Sequence, residues 1–115
     1  MYSGDCVPVR PGRLDTESME GYYLEAAGKF KERVKVPLML VGGIRSYSVA
    51  ERIVTEGIAD YVSLSRPLIR EPDLVNRWRS GDTAKARCLS DNLCYEPAIA
   101  GDGLYCVVQK RRDRA

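Results

Sequence analysis

Five residues in two short turns are placed to do chemistry together: Gly42, Gly43 and Arg45 in one, Ser65 and Arg66 in the other. Each turn follows an apolar run, residues 36–41 and 59–64. If those runs are consecutive strands of a parallel sheet, the turns lie side by side at one edge. Backbone amides without a neighbouring Cβ, a helix N-terminus and a forked guanidinium are the parts of an anion site. Pro67 suits a helix start, because the N–H it lacks would have no partner in the first turn. A Gly-Gly pair is also what an ordinary tight turn uses, so the residues alone leave both readings open.

A second group is Cys88, Cys94 and Cys106, separated by five and eleven residues in a tail rich in loop signals. Three thiolates there could hold zinc or an iron–sulfur cluster. Cysteines packed as small hydrophobes are the other reading, since a clean four-ligand motif is missing. The chain has no histidine, which removes the commonest general base and the commonest metal ligand. Asp60, Glu71, Asp73 and Glu96 show no spacing that demands acid–base work, and they read as caps or surface.

The elements that must position these residues follow a βα rhythm. Residues 1–15, with two prolines and two glycines, read as a loop, and residues 1–4 could be the end of a strand. Residues 17–34 read as one amphipathic helix, with Met19, Tyr22, Tyr23, Ala26, Ala27, Phe30 and Val34 on its apolar face. Tyr22 and Tyr23 are expected to pack rather than to act as catalytic phenols. Residues 36–41 lack alternation, which predicts a strand buried on both faces. Residues 46–56 read as a helix capped by Ser46 or Ser48, with a capping-box pair Ser48 and Glu51, an inner face of Val49, Ile53 and Val54, and Gly57 as its terminal glycine. A second strand covers residues 59–64. A short helical turn follows Pro67, Asp73 caps a helix through Trp78, and residues 82–87 form one more short turn. The tail from Cys88 to Cys106 reads as loops, ordered only if docked or bound.

Bulk properties narrow the classes. At 115 residues the chain is at most one ordinary domain. Its composition, 44% hydrophobic and 30% charged, allows a core. A net charge of +2 argues against binding nucleic acid through bulk charge. The basic run at Lys110–Arg114 reads as a solvated tail, with phosphate binding as its alternative. No apolar run is long enough to span a membrane, and charges interrupt any signal-peptide core, so a cytoplasmic location with reduced thiols is expected.

Taken together, VPLMLVGGIRS, TEGIADYVSLSRPLIREPDLVNRWRSGD and CLSDNLC with the later Cys106 resemble the C-terminal part of the Old Yellow Enzyme-like family. The likeness is nearest to the branch of NADH:flavin oxidoreductases that includes 2,4-dienoyl-CoA reductase and trimethylamine dehydrogenase, and it runs from about Met1 to Val108. The resemblance implies an α/β fold: the C-terminal fragment of a TIM (β/α)8 barrel, with strands seven and eight and their flanking helices in residues 1–87 and a cysteine-containing extension in 88–115. It implies that the phosphate of FMN sits against Gly42, Gly43, Ser65 and Arg66, with Arg45 as a second cation. For the complete enzyme the resemblance implies hydride transfer from NAD(P)H to the flavin and on to an activated alkene or similar acceptor. The family's catalytic strands have no counterpart in this sequence, so this segment is expected to be inactive alone. A non-enzymatic fragment or split subunit that joins a partner chain, the remaining barrel or a second copy, is the alternative. A barrel handling sugar phosphates is a further rival. The iron–sulfur branch carries Cys-x2-Cys-x2–3-Cys-x11–12-Cys. Here Cys88, Cys94 and Cys106 match three positions and Asp91 takes the second. A carboxylate is a poorer ligand than thiolate for such a cluster, so no 4Fe–4S cluster is expected.

Overall fold

The computed structural model describes residues 14–115. The loop and strand end expected over residues 1–13, together with Cys6, lie outside the described residues. Eight elements follow a single-turn 3-10 helix at Glu17–Met19: α1 (Leu24–Arg33), β1 (Met39–Val41), α2 (Tyr47–Thr55), β2 (Tyr61–Ser63), α3 (Arg66–Arg70), α4 (Leu74–Arg79), α5 (Tyr95–Ala100) and α6 (Val107–Asp113). β1 and β2 pair in parallel, Met39 opposite Tyr61 and Val41 opposite Ser63, with α2 as the crossover. The expected βαβ unit is therefore present, and its two following turns lie at the same edge of the sheet.

One layer of side chains forms the core. Leu40 of β1 meets Val49 and Ile53 of α2, with Ala59, Ile44, Leu74 and Trp78 closing around them. Trp78 donates its indole N–H to the Ala84 carbonyl at 3.0 Å, so the ring is buried without stranding its polar atom. Val54, expected on the inner face of α2, is exposed instead. Gly57 terminates α2 with φ +70°, the left-handed position that a helix end reserves for glycine. Ser46 occupies the N-cap but does not cap with its side chain. The capping box does not form: Ser48 Oγ donates to Glu17, and Glu51 accepts from the Tyr47 hydroxyl.

Four further expectations are corrected. The single helix over residues 17–34 divides, because Gly21 takes φ +60° and its N–H bonds the Gly43 carbonyl at 3.1 Å. Its predicted apolar face is also largely open: Met19, Tyr23 and Phe30 are half exposed, and Ala27 is the residue that α1 buries. β1 is not buried on both faces. Leu40 faces α2, whereas Met39 and Val41 are 67% and 52% exposed, and Tyr61 of β2 beside them is 54% exposed. A parallel strand is covered twice only when helices or further strands lie on both sides, and no described element lies over this face. Residues 82–87 do not turn. Their polar groups are engaged by Arg77, which donates to the Ala84 carbonyl, by Glu71, which accepts the Arg87 N–H at 2.6 Å, and by Arg45, whose carbonyl accepts the Ala86 N–H at 2.9 Å. The tail expected as loops from Cys88 to Cys106 contains α5, stopped by Gly101 at φ +81°; beyond it α6 carries the basic run, which is exposed from Lys110 onward.

Candidate functional site

The structure brings Gly42, Gly43, Arg45, Ser65 and Arg66 to one cleft of about 50 Å³ at the ends of β1 and β2. Val41, Ile44, Ser63, Leu64 and Pro67 complete its walls. Small-molecule pockets run to about 300–1,000 Å³, so this space suits one small polar group and not a whole cofactor.

The glycines are required for two reasons. Their φ values, +134° at Gly42 and +69° at Gly43, are unfavourable for side-chain-bearing residues. The space beside each is also taken by tyrosine. A Cβ on Gly42 would lie 2.6 Å from Tyr23 Cδ2, and one on Gly43 would lie 2.5 Å from Tyr22 Cε1. Tyr22 and Tyr23 meet edge to face, ring centroids 4.8 Å apart, and close the turn from behind. Their packing role was expected, but its partner, the glycine turn, was not.

Both arginines are buried. Arg45 is 3% exposed and Arg66 6%. Arg45 donates from Nη1 to the Ile44 carbonyl at 2.8 Å, and from Nε and Nη2 to Ser90 Oγ at 3.2 and 2.7 Å. Arg66 donates from Nη1 to Asn92 Oδ1. Among the described residues, the ion pairs involve Lys29, Lys31, Arg77 and Arg87, and neither cradle arginine pairs with a carboxylate. Burying a charge is costly unless an opposite charge and hydrogen bonds offset it. Burial accordingly pushes the Arg45 guanidinium below its ordinary range; nearby Cys88 opposes this and Arg66 adds to it. Two guanidiniums with uncharged acceptors leave an excess of positive charge at the cleft.

α3 begins beside the cleft but has five residues, and its Pro67 lies in the first turn. So short a helix has a small dipole, and Arg66 is the stronger source of positive charge. Glu20 and Ser46 form a buried contact beneath, with Ser46 Oγ donating to Glu20 Oε1 at 3.1 Å and Oε2 left without a partner. Desolvation raises the Glu20 pKa, while Ser46 opposes it.

Ser90 and Asn92 were legible only as loop residues. Both adopt left-handed backbone, φ 57° and 63°, and Ser90 is fully buried on Arg45. No local signal in the sequence pairs Ser90 with Arg45, 45 positions away, or Asn92 with Arg66, 26 positions away.

The cysteines do not share a centre. Cys88 is half-buried and Cys94 buried; burial pushes the Cys94 thiol up first, and nearby Cys88 adds to it. Cys106 instead lines a separate cleft with Ile69, Arg70, Tyr105 and Lys110. Asp91, at the position of the absent second cysteine, is exposed and accepts the Leu93 N–H at 3.1 Å. Among the described residues, no group of three or more cysteine or carboxylate side chains is arranged to hold a metal ion. No described helix is long and apolar enough to cross a membrane.

With this geometry in place, comparison with known proteins is informative. Residues 7–84 match the NADH:flavin oxidoreductase / NADH oxidase family. The chain is 34% identical over 90 residues to a 4,4'-dithiodibutanoate disulfide reductase of Rhodococcus erythropolis, covering 78% of this chain and 22% of that protein. It is 35% identical over 86 residues to an NADH oxidase of Thermoanaerobacter brockii, covering 74% and 13%. It is 31% identical over 103 residues to a multifunctional alkene reductase/demethylase OYE of Caballeronia cordobensis, covering 78% and 15%. The chain thus spans less than a quarter of the length of each of these relatives.

Proposed function

Because this chain belongs to the NADH:flavin oxidoreductase / NADH oxidase family, we propose that it is the part of an Old Yellow Enzyme-like flavoenzyme that anchors the phosphate of FMN. On this reading β1 and β2 are strands seven and eight of the family's barrel. The observation that carries the proposal is the pair of buried arginines at the cleft, hydrogen-bonded to neutral acceptors, beside two glycine amides. A phosphate dianion is the ligand such charge suits, because charged hydrogen bonds from guanidinium and amide donors are strong where water is excluded.

The residues present fit that group. Arg66 and Arg45 offset its charge, the Gly42 and Gly43 amides lie at the cleft in a left-handed turn that glycine permits, and the Ser65 hydroxyl supplies one more donor. The flavin, when bound, carries the hydride chemistry between reduced nicotinamide and an electrophilic acceptor. This chain's residues contribute binding and orientation. They fix one end of the cofactor, and a small displacement there would move the reacting ring relative to its substrate. The segment by itself is then a cofactor anchor and not a complete catalyst.

A second feature supports association with more protein. Met39, Val41 and Tyr61 form an exposed apolar face on a sheet of two strands. Two paired strands are marginal alone, and unpaired strand edges favour pairing with another chain. The remaining barrel strands would cover both.

The test compares FMN with riboflavin, which lacks the phosphate. FMN binding to the complete enzyme should exceed riboflavin binding, and Arg66→Ala should narrow the gap. One charged hydrogen bond, about 2 kcal/mol, corresponds to about 30-fold in affinity. Equal affinity for the two flavins, unchanged by the substitution, would remove the phosphate from this cleft.

A further inference from the structure

We propose that Ser90 and Asn92 are positioning residues that set the charge preference of the cradle. They hold Arg45 and Arg66 with uncharged acceptors, so that both positive charges remain available to a dianionic ligand. The inference rests on the phosphate-anchor reading and adds the residues that tune it.

Three observations carry it. Arg45 turns two donors, Nε and Nη2, onto the single Ser90 hydroxyl oxygen, which fixes the plane of its guanidinium. Arg66 directs Nη1 at the Asn92 side-chain oxygen. The backbone is bent to make both contacts: Ser90 and Asn92 are the non-glycine residues with positive φ among the described residues. Asparagine tolerates that conformation, whereas serine rarely adopts it. A loop that holds this shape at a buried site does so because its surroundings enforce it.

The chemistry of the acceptors matters as much as their position. A hydroxyl and an amide orient a guanidinium without cancelling its charge. A carboxylate at either position would form an ion pair and compete with the incoming phosphate for the same N–H groups. The two arginines also repel each other, in line with the effect of Arg66 on Arg45. Neutral acceptors leave that repulsion in place, and a dianion between the arginines relieves it. The segment that supplies the acceptors is itself tied to the cradle by the Ala86 N–H to Arg45 carbonyl bond. The tail is therefore built into the anion site.

The experiment measures inorganic phosphate binding calorimetrically to the chain and to two variants. Asn92→Asp keeps the side-chain shape and adds a charge. It should lower phosphate affinity by about tenfold or more. Asn92→Gly keeps the left-handed turn and removes the acceptor, and it should lower affinity by a smaller factor. Asn92→Asp binding phosphate as tightly as the parent would overturn this inference while leaving the phosphate anchor intact. A parent chain that binds no phosphate would overturn the anchor reading and this inference with it. A ligand-free readout checks the contact separately. In Asn92→Asp the new carboxyl should titrate below the ordinary aspartate range by NMR because Arg66 faces it. Titration at the ordinary value would show that Arg66 is not held there.

Discussion

Gly43→Ala tests the turn at the heart of the site most sharply, because two separable costs meet there. The residue has φ +69°, and a non-glycine residue in left-handed conformation loses about 1–2 kcal/mol. The added Cβ would also lie 2.5 and 2.6 Å from Tyr22 Cε1 and Cδ1 and 3.3 Å from Leu14 Cδ1. Crowding of that kind costs about 1–3 kcal/mol. The sum, about 2–5 kcal/mol, is a large part of the 5–15 kcal/mol that ordinarily separates folded from unfolded states. Urea unfolding, followed by the fluorescence of the single tryptophan, Trp78, measures it. A second variant separates the two terms. In a cycle with Tyr22→Ala, the steric term should vanish and leave a coupling of about 1–3 kcal/mol, while the backbone term persists. A coupling within about 0.5 kcal/mol of zero would mean that Tyr22 does not press on the glycine turn. Loss of less than about 0.5 kcal/mol in Gly43→Ala alone would refute the strained turn itself.

Three further outcomes are expected. Desolvation raises the Glu20 pKa above its ordinary 4.5, so between that pH and the higher folded value the folded chain binds this proton more than the unfolded chain does. Stability from this group is then complete below about pH 4.5 and is lost as pH rises through the folded value; Glu20→Gln should flatten that slope and raise the melting temperature near pH 8 relative to pH 4. Asp60 has the opposite sign. Hydrogen bonds from the Lys31 ammonium and, at 2.8 Å, the Leu38 N–H hold it below its ordinary 3.8, so its contribution disappears as pH falls through that lowered value, and Asp60→Asn should make acid unfolding shallower. Val41→Lys places a charge in the middle of the exposed sheet face and should reduce association measured by size-exclusion chromatography with light scattering, whereas an unchanged mass distribution would show that this face is not the contact.

What the sequence made legible divides along physical lines. The strand–helix–strand core was readable because its apolar runs and glycines are local signals: α2, both strands and Gly57 follow from period and punctuation. The cleft was readable for the same reason, since consecutive parallel strands must place their following turns together. Long-range partners were not readable. Nothing local says that Ser90 will sit under Arg45 or that Tyr22 will close on Gly43, because both contacts depend on how the tail and α1 fold back. The face of β1 was misread because an unbroken apolar run signals burial by whatever covers the strand, and the described chain supplies cover on one side only. α5 was missed because Pro97 and the Gly101-Asp102-Gly103 run are loop signals that a short helix tolerates at its ends. The cysteine spacing was visible, but the division of Cys106 from Cys88 and Cys94 is a matter of tertiary path.

The central claim, a phosphate site between two βα turns, is tested most directly by titrating isotopically labelled chain with inorganic phosphate and following the backbone amide resonances. The account predicts saturable shifts at Gly42, Gly43, Ser65 and Arg66, together with the Arg45 and Arg66 guanidinium signals, all fitting one dissociation constant and all lost in Arg66→Ala. Shifts confined to the basic run of α6, with the two turns unmoved at saturating phosphate, would contradict it.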